Sequence, residues 1–218
     1  ADQSAFPATK QEIQSLLLPK PHAAESQLPS SRVDYFYFIN KKSQGLVDVH
    51  GNTIIPLTAN QAILPPSDNM LRLAKVEKKQ IAKAYYDLDA EVMVRIPSSE
   101  KGKFGAFSHN LAPVSLDDEL YFIDKKGNKV IGGLSKAFLS NEGYRVVQKG
   151  SAFGAIDSTG AVVIPIEYTN SLTSVNNGRL GVQKNASWFY VDMKGQIVSD
   201  KYDRIGNFHR GYASVCLN

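Results

Sequence analysis

The chain has 218 residues, of which 43% are hydrophobic and 21% are charged, and its formal net charge is +4. This composition is ordinary for a folded protein with a real hydrophobic core. It excludes two features, because no apolar run is long enough for a transmembrane helix and a single cysteine cannot form an internal disulfide. The lysines are scattered, so we expect a solvated surface and no nucleic-acid partner.

Residues 1–32 are rich in proline and serine and are predicted to form a linker. Within them, Thr9 and Glu12 form a capping-box pattern, an apolar stripe follows, and Pro19 ends it. This pattern predicts one short helix near 10–18. So short a helix is not stable alone in water, so it is expected to dock on the repeats or on a partner, or to remain frayed.

The first residue, Ala1, bears on the cellular location. A small residue at a mature N-terminus is typical of signal-peptide cleavage. We therefore expect a periplasmic or secreted protein whose signal peptide was removed before Ala1. A trimmed recombinant chain and a cytoplasmic location are the alternatives.

Residues 33–218 are predicted to form one β-repeat domain, because one pattern recurs five times within them. In each copy an apolar stretch runs into an aspartate, and a small residue three positions later precedes a second apolar stretch. Such a sequence is typical of a hairpin turn, since the carboxylate caps the turn and glycine accepts a positive φ. The turn residues are Asp48, Asp87, Asp124, Asp157 and Asp192 with Gly51, Gly127, Gly160 and Gly195, and Ala90 takes the glycine's place in the remaining copy.

A third strand is predicted after each hairpin, beyond a second turn that contains Asn or Gly. Its alternate residues are apolar, as in Leu71 and Leu73, and Arg145 is the polar exception, which is expected to face an edge or a partner. The run at 33–42 resembles the third strand of a missing upstream copy.

The sequence therefore predicts an all-β fold, a tandem array of about five three-stranded units preceded by the short N-terminal helix. An open twisted stack is favoured, because six third strands accompany only five hairpins. A closed five-bladed, propeller-like ring is the alternative.

The residues suited to catalysis or metal binding form no recognisable set. The histidines lack metal-ligand spacing, one carboxylate per turn is too few for calcium, and no nucleophile elbow is present. We therefore expect no metal, no cofactor and no enzymatic activity. Convergence of His50, His109 and His209 with the acidic cluster at 117–119 in one pocket would revive a hydrolase hypothesis.

The clearest functional pattern is a row of mostly large side chains two residues before the turn aspartates, opposite the predicted core face. The row comprises Leu46, Tyr85, Phe122, Ala155 and Tyr190. Either neighbouring repeats pack through this row, or a peptide or sugar stacks on it. The candidate binding residues are Tyr85, Phe122, Arg145, Trp188 and Tyr190.

These features resemble bacterial WG-type repeats, over about 33–218. The pattern is followed best by Phe153, Gly154, Ile156, Asp157, Gly160, Val163, Ile164 and Pro165. The array departs from it elsewhere, since Phe189 follows Trp188 where the family has Gly. The resemblance implies an interaction module of bacterial proteins, often of the envelope or secreted, and no single activity.

A tandem β-array, a proline-rich tether and no catalytic set together predict a non-catalytic binding or scaffolding module. We expect it to mediate protein–protein interaction in the bacterial envelope or outside the cell. The alternative is binding of envelope glycan, either peptidoglycan or polysaccharide, through Trp188 and Tyr190. That alternative rests on a local similarity of residues 188–196 to the glucan- or choline-binding cell-wall repeats.

Overall fold

A computed structural model describes residues 35–40, 42–77, 80–96 and 102–217. Every regular element in these residues is a β-strand, so the all-β prediction is confirmed. The predicted linker at 1–32 and the helix near 10–18 lie outside the described residues. The strands are β1 (Tyr35–Asn40), β2 (Ser43–Asp48), β3 (Thr53–Ala59), β4 (Gln61–Ser67), β5 (Met70–Glu77), β6 (Gln80–Asp87), β7 (Val92–Arg95), β8 (Lys103–Phe104), β9 (Ala112–Leu116), β10 (Glu119–Ile123), β11 (Lys129–Leu134), β12 (Lys136–Ala137), β13 (Arg145–Lys149), β14 (Ala152–Ile156), β15 (Val162–Tyr168), β16 (Asn170–Ser171), β17 (Arg179–Lys184), β18 (Ser187–Asp192), β19 (Arg204–Ile205) and β20 (Val215–Cys216).

The described strands form six small antiparallel sheets, in each of which consecutive strands are neighbours. Sheet 1 is β1–β3, sheet 2 is β4–β7, sheet 3 is β8–β11, sheet 4 is β12–β15, sheet 5 is β16–β18 and sheet 6 is β19–β20. Within the described part of the chain, no strand ladder joins sheet 1 to sheet 6.

The prediction was wrong about which strands share a sheet and about the number of strands in three of the sheets. The predicted third strand pairs with the hairpin that follows it, as β5 pairs with β6, because only two residues separate those two strands in sequence. The predicted upstream remnant, β1, likewise pairs with β2 and belongs to sheet 1. Sheets 2, 3 and 4 also contain an additional first strand, so they have four strands where three were predicted.

The turn aspartates close their hairpins through backbone and carboxylate together. The N–H of Gly127 donates to the carbonyl of Asp124 over 3.0 Å, and Asp124 Oδ1 accepts from the N–H groups of Lys126 and Asn128. Gly127 has a φ of 86°, which glycine tolerates without strain. The same set of bonds recurs at Asp48, Asp157 and Asp192.

The turn after Asp87 differs because it lacks the glycine. The Asp87 carboxylate accepts from the N–H groups of Asp89 and Ala90. The positive φ falls on Glu91, at 55°. The capping carboxylate is therefore retained where the glycine is lost.

Hydrogen bonds lower the pKa of four turn carboxyls below the usual value. At Asp48 the largest contribution is the side chain of Asn52, and at Asp192 it is the N–H of Gln196. At Asp124 and Asp157 partial burial acts to raise the pKa, but donated hydrogen bonds outweigh it. Each ionised carboxylate therefore stabilises the folded turn.

We expect the melting temperature to fall as the pH is lowered from about 5 towards 2. A carboxyl whose folded-state pKa lies below its unfolded value of about 3.9 stabilises the fold above that value, and this contribution disappears as the pH falls through the folded pKa. Thermal melts of the wild type and of a variant with Asn at 48, 124, 157 and 192 measure this. A variant with an unchanged pH dependence would show that other groups are responsible.

The core lies between successive sheets, because both faces of the central strands are buried. One face carries Val47, Tyr86, Ile123, Ile156 and Val191, and the other carries the predicted row of Leu46, Tyr85, Phe122, Ala155 and Tyr190. Sheets 1 to 5 form four successive interfaces. In each interface, the row residue of one sheet belongs to the same hydrophobic cluster as the next sheet's residue from the first of these two faces. Only the row residue of sheet 5, Tyr190, has no such partner among the described residues.

Candidate functional site

Tyr85 and Phe122 lie in the interfaces between sheets and not on a surface. Tyr85 is fully buried between sheets 2 and 3, donates its hydroxyl to the carbonyl of Gly105 over 2.7 Å, and packs edge-on against Phe107. Phe122 is fully buried between sheets 3 and 4. Of the two interpretations of the aromatic row, packing between repeats is the one observed for these residues.

Arg145 is also buried, which corrects the expectation that it faces an edge or a partner. Its guanidinium lies 4.7 Å from the centre of the Phe122 ring and donates to the carbonyls of Phe138 and Ser108 over 3.2 and 3.3 Å. Burial lowers the pKa of Arg145, and the charge of Asp68 partly offsets this. Arg145 therefore holds sheet 4 to the turn that precedes β9.

The two remaining candidates, Trp188 and Tyr190, lie in β18, beside the end of the described array. Trp188 is half-buried and exchanges two backbone hydrogen bonds of 2.8 Å with Tyr202. Tyr190 donates its hydroxyl to the carbonyl of Gly206 over 2.5 Å and packs at 4.7 Å from Phe208. Burial raises the pKa of Tyr190, so its hydroxyl stays protonated as a donor.

Between sheets 5 and 6 lies a cavity of about 390 Å³, here called the terminal cavity. Arg179 covers one side of it, with its guanidinium 5.4 Å from the centre of the Phe208 ring. Its walls combine aromatic rings, one cation and aliphatic groups. The lining residues are Arg179, Tyr190, Val198, Ser199, Tyr202, Phe208, Gly211, Ala213 and Val215.

The terminal cavity repeats the interface between sheets 2 and 3. The hydrogen bond from Tyr190 to Gly206 matches that from Tyr85 to Gly105, and the ring separations are 4.7 and 4.8 Å. The N–H of each glycine donates to the next strand, at Pro113 and at Ser214. By this register Ala213 and Val215 occupy the positions of Ala112 and Val114.

The two interfaces differ in one strand: β10 pairs with β9 in sheet 3, and sheet 6 has no described counterpart of β10. Between sheets 2 and 3, Tyr121 and Ile123 of β10 complete the cluster around Tyr85 and Phe107. In sheet 6, β20 pairs with β19, and no described strand lies on its other side. As a result Phe107 is fully buried while Phe208 is only half-buried, and the volume that two side chains fill in one interface is a cavity in the other.

The surface around the open edge of β20 is apolar. Val215 is 46% exposed, and Tyr212 and Leu217, which flank the strand, are 82% and 69% exposed. An open strand edge next to exposed apolar side chains is a template for pairing with another strand. This edge and the terminal cavity together form the candidate binding site.

Sequence reasoning found only part of this site. It identified Tyr190 and the neighbouring Trp188, and it missed Arg179, Tyr202 and Phe208. A signal for Phe208 was present, since Gly105-x-Phe107 and Gly206-x-Phe208 stand at the same distance before their turns.

The residues considered for catalysis do not converge. His109 lies 2.9 Å from the Ser140 hydroxyl, and Glu119 accepts from Lys129 and from the N–H of Gly133. No hydrogen bond within the described ranges joins two of the candidates His50, His109, His209 and 117–119. The described residues also contain no group of three or more potential metal ligands, and none of them belongs to a helix that could span a membrane.

Part of the chain matches a known family of repeats. The family model described as "WG containing repeat" matches residues 153–188 and 188–218. Residues 153–218 are WG-type repeats. The resemblance noted from the sequence is therefore confirmed for these residues, and both the terminal cavity and β20 lie within the matched WG repeats. No curated protein matches the chain.

Solved structures give only distant similarities. Hsv2p of Kluyveromyces lactis is 15% identical, with 78% of this chain and 63% of that one covered and a TM-score of 0.36. An uncharacterised protein of Listeria monocytogenes is 10% identical, with 89% and 81% covered and a TM-score of 0.37. TolB of Acinetobacter baumannii is 13% identical, with 75% and 49% covered and a TM-score of 0.32. The chain thus spans less than two thirds of the Kluyveromyces and Acinetobacter chains, and TM-scores this low carry no argument about function.

Proposed function

We propose that this protein is a non-catalytic binding module that mediates protein–protein interaction, and that the edge of β20 that no described strand covers takes up an extended segment. The observation that carries the proposal is the match between the terminal cavity and the interface of sheets 2 and 3. Between sheets 2 and 3, the wall equivalent to that of the cavity is covered by β10, which inserts Tyr121 and Ile123. Strand addition of this kind gains affinity from main-chain hydrogen bonds and specificity from pockets for alternate side chains.

The chemistry of the cavity defines the preferred segment. An aromatic residue and a branched aliphatic residue two positions apart point to the same face of a strand. Phe208, Ala213 and Val215 provide the apolar wall for them. Arg179 adds a cation at the rim, which favours a carboxylate or carbonyl group in the segment.

A labelled peptide of the sequence ELYFID, residues 119–124 of this chain, tests the proposal directly. We expect saturable binding, because the peptide presents the side chains that cover this wall in sheet 3. A matched peptide with serine in place of Tyr121 and Ile123 should bind at least tenfold more weakly, since it loses two buried apolar contacts. Fluorescence anisotropy measures both affinities.

The matched protein variants are Val215→Asp and Val162→Asp. Both valines are about half exposed, but only Val215 lines the cavity. V215D should lose the peptide, and V162D should bind it as the wild type does. Equal binding of the two peptides, or no binding by the wild type, would refute strand uptake.

Glycan binding is the second candidate, and the aromatic lining of the cavity by Tyr190 and Tyr202 favours it. Tyr190 is only 4% exposed, which leaves little of its ring for a sugar to stack on. Pull-downs on peptidoglycan and on envelope polysaccharide discriminate the two. Retention that disappears in Trp188→Ala, together with no peptide binding, would replace the proposal with this one.

We further propose that the module acts in a bacterial envelope or outside the cell. The support is the resemblance of its repeats to a family that is often exported. Fractionation of the source organism with an antibody to this chain tests the location. Recovery in the cytoplasmic fraction alone would refute it.

A further inference from the structure

Carboxylates link the second turns of successive sheets, which are the tight turns that precede β5, β9, β13 and β17. The second turn of sheet 5 has positive φ values of 52° at Asn177 and 64° at Gly178. The N–H groups of these two residues donate to the two carboxylate oxygens of Glu142, from the second turn of sheet 4, each over 2.8 Å. The carboxylate of Asp68 likewise accepts from the N–H of Asn110 over 2.8 Å. In this protein, such a turn is therefore a receptor for a carboxylate.

The second turn of sheet 4 has the same geometry but receives no carboxylate. Its φ values are 51° at Glu142 and 81° at Gly143, and a Cβ on Gly143 would meet nothing within 4 Å. Among the described residues, neither of these two N–H groups has an acceptor. In sheet 3, His109 occupies the position that Asp68 and Glu142 hold in sheets 2 and 4. The His109 ring lies 2.9 Å from the Ser140 hydroxyl and supplies no carboxylate to the turn.

A cavity of about 240 Å³, here called the central cavity, lies beside this turn. Its lining comes from sheets 3 and 4 and includes Lys125, Lys126 and Ser158. Arg145 lies opposite Ile156 in sheet 4, and two residues beyond this pair the same register brings Gly143 beside Ser158. The turn with the two N–H groups therefore borders the central cavity.

The charges around the central cavity favour an anionic ligand. In the part of the chain that the structure describes, the ammonium groups of Lys125 and Lys126 have no ion-pair or hydrogen-bond partner. The neighbouring carboxylates are already engaged, since Asp124 and Asp157 accept from N–H groups of their own turns and Glu142 accepts from sheet 5. Two cations and two N–H donors are thus available to one ligand.

We propose that the central cavity binds a carboxylate from an acidic segment of a partner protein. One oxygen of this carboxylate accepts from the N–H of Glu142 and the other from the N–H of Gly143, as the Glu142 carboxylate does at the turn of sheet 5. Lys125 and Lys126 supply the opposite charge. This surface is separate from the edge of β20, so the inference goes beyond the proposed function and does not depend on it.

Titration of the ¹⁵N-labelled protein with acetate, followed by amide chemical shifts at constant ionic strength, tests the turn directly. The amide signals of Glu142 and Gly143 should shift saturably. The amide signal of Gly178 should not shift, because the Glu142 carboxylate already occupies that turn. A tetraglutamate peptide with blocked ends should produce the same shifts at a concentration about tenfold lower or less, since it also contacts the lysines.

Three outcomes of this titration would overturn the proposal. Equal shifts at Gly143 and Gly178 would show a non-specific effect of the anion, and the absence of shifts at Gly143 would show that the turn is not a receptor. Saturation of Gly143 by inorganic phosphate at a lower concentration than by tetraglutamate would replace the acidic segment with a phosphorylated ligand.

His109→Glu tests the turn from within the chain, because it gives sheet 3 the acidic residue that sheets 2 and 4 have. The new carboxylate should occupy the turn of Glu142 and Gly143, so tetraglutamate binding should weaken by about tenfold or more. His109→Asn is the matched control, since no described hydrogen bond joins Asn177 to the turn of sheet 6, and it should bind as the wild type does. Equal binding by H109E and H109N, with unchanged melting temperatures, would overturn the proposal.

The lysines are tested by Lys125→Gln combined with Lys126→Gln. This double variant should bind tetraglutamate about fivefold more weakly or less tightly still, the range for the loss of two exposed charge pairs. Lys194→Gln combined with Lys201→Gln is the matched control, because it removes the same net charge from exposed positions that do not line the central cavity. Equal weakening by the two double variants would mean that the peptide responds only to the net positive charge, which would overturn a defined site.

Discussion

Replacing Phe107 with alanine is expected to lower the free energy of unfolding by about 3–5 kcal/mol, the range for a fully buried Phe. The Phe107 ring is completely buried between sheets 2 and 3, and it packs 4.8 Å from Tyr85. Removing it leaves a cavity that the antiparallel strands on either side cannot fill, and it removes the edge-on contact with Tyr85. Chemical denaturation with an unchanged m-value measures the difference.

Phe208→Ala is the matched control for Phe107→Ala. Phe208 makes the equivalent contact with Tyr190, at 4.7 Å, but one side of it lines the terminal cavity. Its ring is only half-buried, so we expect its loss to cost about half as much or less, in proportion to the apolar area buried. Equal costs for the two variants would mean that the cavity is filled in solution.

Gly160→Val is expected to destabilise the protein by about 2–6 kcal/mol. The φ of Gly160 is 87°, a conformation in which a β-branched residue costs about 1–3 kcal/mol. A Cβ atom at this position would also lie 2.6 Å from Cγ2 of Val130, so the neighbouring hairpin would have to move, at a further cost of about 1–3 kcal/mol. Thermal and chemical denaturation measure the sum.

Gly143→Val separates the two contributions. Gly143 has a φ of 81°, but a Cβ there would meet nothing within 4 Å. Only the backbone cost of about 1–3 kcal/mol is expected. Both glycines have a positive φ, and contact with Val130 is what distinguishes Gly160 from Gly143. If G143V proves as destabilising as G160V, the contribution of Val130 is negligible.

Several features follow from the sequence alone because they are local. An aspartate followed three residues later by glycine defines a turn by its own hydrogen bonds and φ, as at Asp124 and Gly127. Alternation of apolar residues on either side of each turn predicts strands without knowledge of their neighbours. Together these gave the all-β class and the resemblance to WG repeats, which the family match confirms for 153–218.

Pairing between strands was decided by the tertiary structure. The predicted third strand has a hairpin on either side of it in sequence, and apolar alternation does not say with which one it pairs. The structure shows that β5 pairs with β6 because the connection between them is the shorter one. The short first strands β8, β12 and β16 have only two residues each, too few to show a period in the sequence.

Burial of the aromatic row was also decided by packing. Alternation places Tyr85 and Phe122 on one face of a strand, but only the adjacent sheet determines whether that face is covered. The same applies to Arg145, whose partners Ser108 and Phe122 are distant in sequence. The terminal cavity is the clearest case, because Tyr190 and Phe208 match Tyr85 and Phe107 in sequence position. The difference between a filled core and an open site comes from one central strand, whose place beside β20 no described residue takes.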